Sequence, residues 1–399
     1  MNNPILLDNV GCLYTANKDG VQSYENTKIF IDNGLIASEE ENKDYLAIDC
    51  RGKMVTSGFV DPHTHPVFYN TRDSEYAMRL AGSSYEEIAN NGGGIISSVN
   101  GVRKASEDEL VTKLDKRLDR FIENGTTTIE AKSGYGLNIE SELKSLSVID
   151  KLNSTHHIDI VPTFMGAHAY PNEFKDDHLG YVELICKEMI PAVSEQGIAK
   201  FNDVFCEKDY FSINESRQIL ECGIKYGLKP RMHADEFVDS GAAELAGEIG
   251  AFSADHLMAV SEEGIKALAD NNVIATLLPG TTFFLGKSNY APARKLIDAG
   301  ITIALATDYN PGSSHIQSMP FIISLACLFL GLTVEEAFAA ATYNAAQTLG
   351  LHNEVGSIEL GKKADLIIWD LDSLIDIPYY ISNHPIQKVL KNGEVVFGA

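Results

Sequence analysis

The chain has 399 residues, with 32 basic against 56 acidic side chains for a formal net charge of -24, and is 44% hydrophobic and 22% charged. This length suits one large barrel plus a smaller domain, and a mean hydropathy of -0.08 is that of a soluble globular protein rather than a disordered or fibrous one. The acidic excess argues against nucleic acid or an anionic membrane surface as partner, because both draw on clustered Lys and Arg. Any anionic small-molecule substrate must therefore meet local arginine.

Six cysteines, Cys12, Cys50, Cys186, Cys206, Cys222 and Cys327, are scattered without CxxC spacing, as reduced core thiols are. The opening residues MNNPILLDNVG carry no basic segment followed by a long apolar run. No stretch reaches the roughly 18 apolar residues needed to span a bilayer. A reducing cytoplasm is the expected compartment.

In chain order, short strands are predicted at residues 4–7, 28–31 and 35–37, with Asp32, Asn33 and Gly34 as a hairpin turn between the last two. At the far end, residues 364–369 read as an apolar strand, and Asn392 and Gly393 as a second hairpin signal before residues 394–397. Both ends are expected to share one small β-sandwich domain, residues 1–55 plus 356–399. Two independent decorations are the plainer alternative.

Between the ends, short apolar runs alternate with helix-length segments, the sequence form of an α/β protein. The runs are residues 54–60, 126–130, 158–164, 203–206, 228–232, 251–254, 273–278 and 301–306. Eight is the number that closes a TIM-like (β/α)8 barrel, here assigned to residues 56–355. Ser106 and Glu109 form a capping box before a stripe of Leu110, Leu114, Leu118 and Ile122, stopped by Asn124 and Gly125, which predicts a helix between the first two runs. Residues 261–270 repeat that signal more weakly.

The chemistry is written where these runs end. The first ends in Asp61-Pro62-His63-Thr64-His65, and on an extended segment residues i and i+2 share a face, so His63 and His65 can reach one ion. Alone, the pair is weak evidence, more often two surface or core histidines than a metal site. However, His168, His233 and His256 also follow strand runs, and Asp308 follows the last, so a polar rim at one end of the barrel is expected. His63, His65, His233 and Asp308 suffice as ligands of one catalytic metal with a position left for water. Glu236, three residues beyond His233, is the first candidate for proton shuttle and His256 the second. Gly92-Gly93-Gly94-Ile95 reads as a loop over the site or as a plain surface loop, and Asn310-Pro311-Gly312-Ser313-Ser314, directly after Asp308, can touch substrate. Neither is a phosphate loop.

With these residues in hand, the chain resembles the imidazolonepropionase family of the amidohydrolase superfamily over nearly its whole length. The resemblance rests on the segment from Gly58 to His65, Gly92-Gly93-Gly94-Ile95, Lys132-Ser133-Gly134-Tyr135-Gly136-Leu137 and Asp203-Val204-Phe205-Cys206-Glu207. It rests equally on His233-Ala234-Asp235-Glu236, Ser253-Ala254-Asp255-His256-Leu257, Leu278-Pro279-Gly280 and the segment from Ala306 to Ser314. It implies hydrolysis of 4-imidazolone-5-propanoate to N-formimidoyl-L-glutamate, with one Zn2+ or Fe3+ on the four ligands above. It also implies substrate contacts from Arg72, Tyr85, Tyr135, His168, Glu236, Asn310, Gly312 and Ser313. Arg72 suits a carboxylate clamp, because a planar guanidinium offers paired hydrogen bonds. The chain departs from the family pattern at Pro66 and at Tyr69-Asn70-Thr71. Deamination of an aminated heterocycle is the rival chemistry, and a non-catalytic scaffold the rival from another class. Whether the chain acts as a monomer or a homodimer is left open.

Overall fold

The computed structural model describes residues 4–40, 43–83 and 93–398. The two chain ends build one eight-stranded sheet from β1 (Ile5–Asn17), β2 (Gly20–Asp32), β3 (Leu35–Ala37), β4 (Leu46–Asp49), β5 (Met54–Ser57), β14 (Leu366–Trp369), β15 (Ile386–Lys391) and β16 (Glu394–Phe397). β1 changes partner along its length, pairing in parallel with β4 through residues 5–8 and with β5 through residues 12–14. A bulge separates the two stretches, with Asn9 at φ 55°. Leu7, Leu13, Ile31, Val55, Leu366 and Leu390, from both ends of the chain, meet in one buried cluster.

Both predicted hairpins form, and their turns take the left-handed backbone that joins right-twisted strands. Asn33 and Gly34 have φ 48° and 81°, and Asn392 and Gly393 have φ 48° and 78°. β2 starts eight residues before its predicted start at Lys28, because its first half is solvent-exposed and is held by pairing to β1 rather than by apolar alternation.

The barrel runs in chain order through β6 (Phe59–Asp61), β7 (Thr126–Lys132), β8 (Asp159–Ala167), β9 (Phe201–Cys206), β10 (Lys229–Ala234), β11 (Ser253–His256), β12 (Ile274–Leu277) and β13 (Ile303–Leu305), each parallel to the next. The first and last strands meet through a parallel bridge of Thr64 to Tyr309, where the His65 amide donates to the Tyr309 carbonyl at 2.8 Å and the Asp308 amide to the His63 carbonyl at 3.1 Å. The seam of the barrel is thus closed by the segments that carry His63, His65 and Asp308. The Glu107–Glu123 helix has the expected capping box, and its stripe is buried against the core. The Glu262–Asp270 helix is capped by Ser261.

One predicted element is corrected. The run at residues 54–60 is two strands in two sheets: β5 belongs to the end sheet and β6 to the barrel, with Gly58 between them. Both pieces are buried on every side, so hydrophobicity alone does not reveal the break. A Cβ on Gly58 would lie 2.4 Å from Thr127 Oγ1, so this crossing needs glycine. Trp369, the chain's one tryptophan, sits beside it, donating from Nε1 to Thr56 Oγ1 at 2.9 Å with its ring edge-on to Phe59. Asp159 at the start of β8 accepts from Lys363 at 2.9 Å and Lys391 at 2.7 Å, tying the end sheet to the barrel floor. Among the described residues no helix is long and apolar enough to cross a membrane.

Gly58→Ala is expected to destabilise the fold by about 1–3 kcal/mol through overpacking. Denaturant unfolding followed by the emission of Trp369 measures this, and an unchanged midpoint would contradict the close approach at Gly58.

Candidate active site

The C-terminal ends of the barrel strands bring nearly all the singled-out residues to one cavity of about 300 Å³, lined by His65, Arg72, Tyr135, His168, His233, Glu236, His256, Asp308, Asn310, Gly312 and Ser313. His63 lies just beneath, fully buried. Tyr85 and Gly92 lie outside the described residues. Two of the site's side chains are aimed by left-handed backbone where the strands end: His256 has φ 81° and Asp308 φ 53°. Such conformations are uncommon outside glycine and concentrate at functional sites.

The donor geometry follows from the carboxylates behind the imidazoles. His63 Nδ1 lies 2.6 Å from Asp255 Oδ2, and His233 Nδ1 lies 3.1 Å from Asp203 Oδ1. A carboxylate accepts only, so in both rings Nδ1 carries the proton and Nε2 presents a lone pair. His63 Nε2 and His233 Nε2 each lie 3.3 Å from His65 Nε2, and Asp308 Oδ1 lies 3.6 Å from the Nε2 atoms of His63 and His65. His65 can donate to one neighbour at most, which leaves lone pair facing lone pair in the other contact. A cation among them removes that repulsion, and donors about 2.0–2.1 Å from a tetrahedral ion stand roughly 3.3 Å apart. The donor set therefore fits a metal ion.

Burial and then the Lys132 charge hold His63 well below the ordinary histidine range, and burial and then His168 do the same for His65, so both are neutral, as ligands must be. Asp308 is pushed up to about 6 by burial, while its Oδ2 accepts from Thr281 Oγ1 at 2.6 Å. Below the rings, Lys132 bridges Asp203 at 2.7 Å and Glu130 at 2.9 Å, and Arg231 donates to Asp255 at 3.2 Å and to the Pro62 carbonyl at 2.7 Å. Burial works against the Lys132 ammonium, but Asp203 and Glu130 outweigh it and raise its pKa. These buried ions under the histidines have no counterpart in the sequence reading, which named Lys132, Asp203 and Asp255 only within motifs. The available signal was charge at alternate positions of apolar strands, Glu130 with Lys132 and Arg231 with His233.

On the cavity side, His256 Nε2 faces Glu236 Oε2 at 3.8 Å. Burial, and then Asp308, raise the Glu236 carboxyl well above its ordinary range, while burial keeps His256 neutral. His168 donates from Nδ1 to the Gly134 carbonyl at 2.9 Å, stacks on His65, and is lowered to about 3 by burial. Asn310 shapes its own loop: Oδ1 accepts from the amides of Gly312 at 2.8 Å and Ser313 at 2.7 Å. Gly312 seats Arg72, since a Cβ there would lie 2.3 Å from Arg72 Nη1. Arg72 itself donates from Nε and Nη2 to Glu75 Oε2 at 2.9 and 2.8 Å.

Eight parallel strands with histidine and carboxylate donors at their C-terminal ends place the chain in the amidohydrolase family, whose sequence profile matches residues 54–396. A zinc-bound adenosine deaminase from Xanthomonas campestris has the same fold, with a TM-score of 0.74 at 16% identity over 98% of this chain and 92% of that one. Within the family the chain belongs to the imidazolonepropionases. The imidazolonepropionase of Geobacillus sp. (strain WCH70) is 50% identical over 383 residues, 93% of this chain and 90% of the relative. That of Geobacillus kaustophilus (strain HTA426) is 49% identical over 383 residues, with the same coverage.

Asp255→Asn is expected to weaken metal affinity about 10–100-fold, because it removes the charge that orients and strengthens the His63 ligand. Competition against a chromophoric chelator measures the change. Affinity equal to that of the unsubstituted protein would show that the carboxylate does not support a ligand.

Proposed function

We propose that the chain opens the ring of 4-imidazolone-5-propanoate by adding water across its cyclic amide, giving N-formimidoyl-L-glutamate in histidine degradation. The barrel, residues 56–355, is the hydrolase unit, and the site holds one zinc or ferric ion on His63, His65, His233 and Asp308. The proposed compartment is the cytoplasm. The observation that carries this reading is one cavity with a metal-fitting donor set at its floor, a buried carboxyl–imidazole pair beside it and an arginine-bearing wall, in a chain half identical to imidazolonepropionases.

When bound, the ion supplies a Lewis acid that lowers the proton affinity of water and polarises the ring carbonyl. Glu236 takes the proton from the attacking water and delivers it to the ring nitrogen as the amide bond breaks. A carboxyl raised above its ordinary range suits this double task, because it holds the proton taken from water more firmly than an ordinary carboxylate until the departing nitrogen needs it. His256, neutral and with one N–H, steadies the oxyanion that develops on the carbonyl. Its Nε2 faces the cavity beside Glu236, so that nitrogen is the one placed to give its proton to substrate. His168 and Tyr135 pack against each other, with ring centres 5.1 Å apart, and wall the ring-binding end. Arg72, seated on Gly312, faces the propanoate.

Incubation with 4-imidazolone-5-propanoate, followed by loss of ring absorbance and appearance of formimidoylglutamate, tests the reading. Ammonia released from an aminated heterocycle, with no opening of the imidazolone, would replace it by deamination. Glu236→Gln is expected to keep the metal and lower kcat by about a hundred- to ten-thousandfold. Near-normal turnover of that variant at full metal occupancy, with His256→Ala inactive, would transfer the proton-shuttle role to His256.

A further inference from the structure

The Asp73–Leu80 helix and its N-cap place three charged side chains, Arg72, Glu75 and Arg79, along one wall of the cavity. Glu75 is fully engaged: Oε2 accepts from two nitrogens of Arg72, and Oε1 accepts from the Gly94 amide at 3.1 Å. Arg72 therefore has one edge of its guanidinium closed by Glu75 and cannot offer that edge as a paired grip to a ligand. Arg79 is placed differently. Its Nη1 donates to the Gly312 carbonyl at 3.3 Å, and its guanidinium lies 5.4 Å from the Tyr76 ring centre and 5.5 Å from that of Phe284. Its Nη2 is buried and has no hydrogen-bond partner among the described residues.

Two guanidiniums and one carboxylate leave this wall with one uncompensated positive charge, which equals the charge of one carboxylate. A buried donor without an acceptor, next to a second cation, is unfavourable unless an anion joins them. We infer that Arg79 is a specificity-determining residue whose Nη2, together with Nη1 of Arg72, receives the carboxylate of the substrate's side chain, so that the site selects rings bearing an anionic arm. Burial and the neighbouring Arg72 charge lower the Arg79 pKa, the direction expected of a cation awaiting its counter-ion. Glu75 is then a positioning residue that presents Arg72 at the angle needed to share the carboxylate, and Gly312 supports both guanidiniums. The inference rests on the ring-opening reading above and adds the group that recognises the substrate's charge.

Steady-state kinetics of Arg79→Gln test it, with 4-imidazolone-5-propanoate and with its uncharged propanamide analogue. With the carboxylate substrate, KM is expected to rise about ten- to a hundredfold, the loss typical of a hydrogen bond to a charged group, while kcat changes less than about threefold. With the propanamide the rise should shrink to under about threefold, since no charge remains for Arg79 to meet. Arg79→Met, which keeps the apolar stem against Tyr76 and Phe284, carries the same expectation should the glutamine variant fold poorly. An unchanged KM for the carboxylate substrate, or an equal rise for both substrates, overturns the assignment while the ring-opening reading stands. Absence of turnover by the unsubstituted, metal-loaded protein overturns both.

Discussion

The site depends on two buried carboxylates that fix the proton positions of two histidines. Asp255 and Asp203 hold the Nδ1 protons of His63 and His233, so both rings direct Nε2 lone pairs toward the same point near His65 and Asp308. A buried carboxylate costs several kcal/mol unless it is paired. Arg231 and Lys132 provide the pairing from beneath. The barrel axis is thereby layered: cations below, carboxylates above them, imidazoles next, then the cavity. These side chains come from residues two apart on one strand, as with Arg231 and His233, and from paired positions on neighbouring strands, as with His233 beside Asp255 in the register of β10 and β11.

The same layering reconciles a chain of net charge -24 with an anionic substrate. Long-range repulsion from the acidic surface is screened within about 10 Å at ordinary ionic strength, whereas charges inside the cavity act at close range and low dielectric. Arg72, Arg79 and Lys287 line the cavity with Glu75 and Glu236, so the wall that meets substrate is locally cationic. The floor, by contrast, carries the imidazoles and is suited to a metal and a proton-exchanging carboxyl.

The eight strand runs were legible because buried parallel strands are apolar on both faces, and the rim histidines because a polar residue ending such a run is conspicuous. The split between β5 and β6 was not, since one glycine between equally buried segments carries no hydrophobic contrast. The first half of β2 was hidden for the opposite reason, as an exposed strand held by main-chain pairing shows no alternation. The partnership of His63 with Asp255 spans 192 positions and exists only once the barrel closes. Arg79 was missed because its helix is mostly exposed and its importance lies in what Glu75 and Gly312 already bind, a tertiary fact with no local signature.

Whether the carboxylate-held imidazoles converge on one ion can be read from anomalous diffraction by the metal-loaded protein. A single strong peak is expected about 2.0–2.1 Å from Nε2 of His63, His65 and His233, with Asp308 Oδ1 completing the set. His63, His233 and His256 also bring donor atoms within 4.8 Å of one another. A peak centred on those three, with His65 and Asp308 unligated, would contradict it.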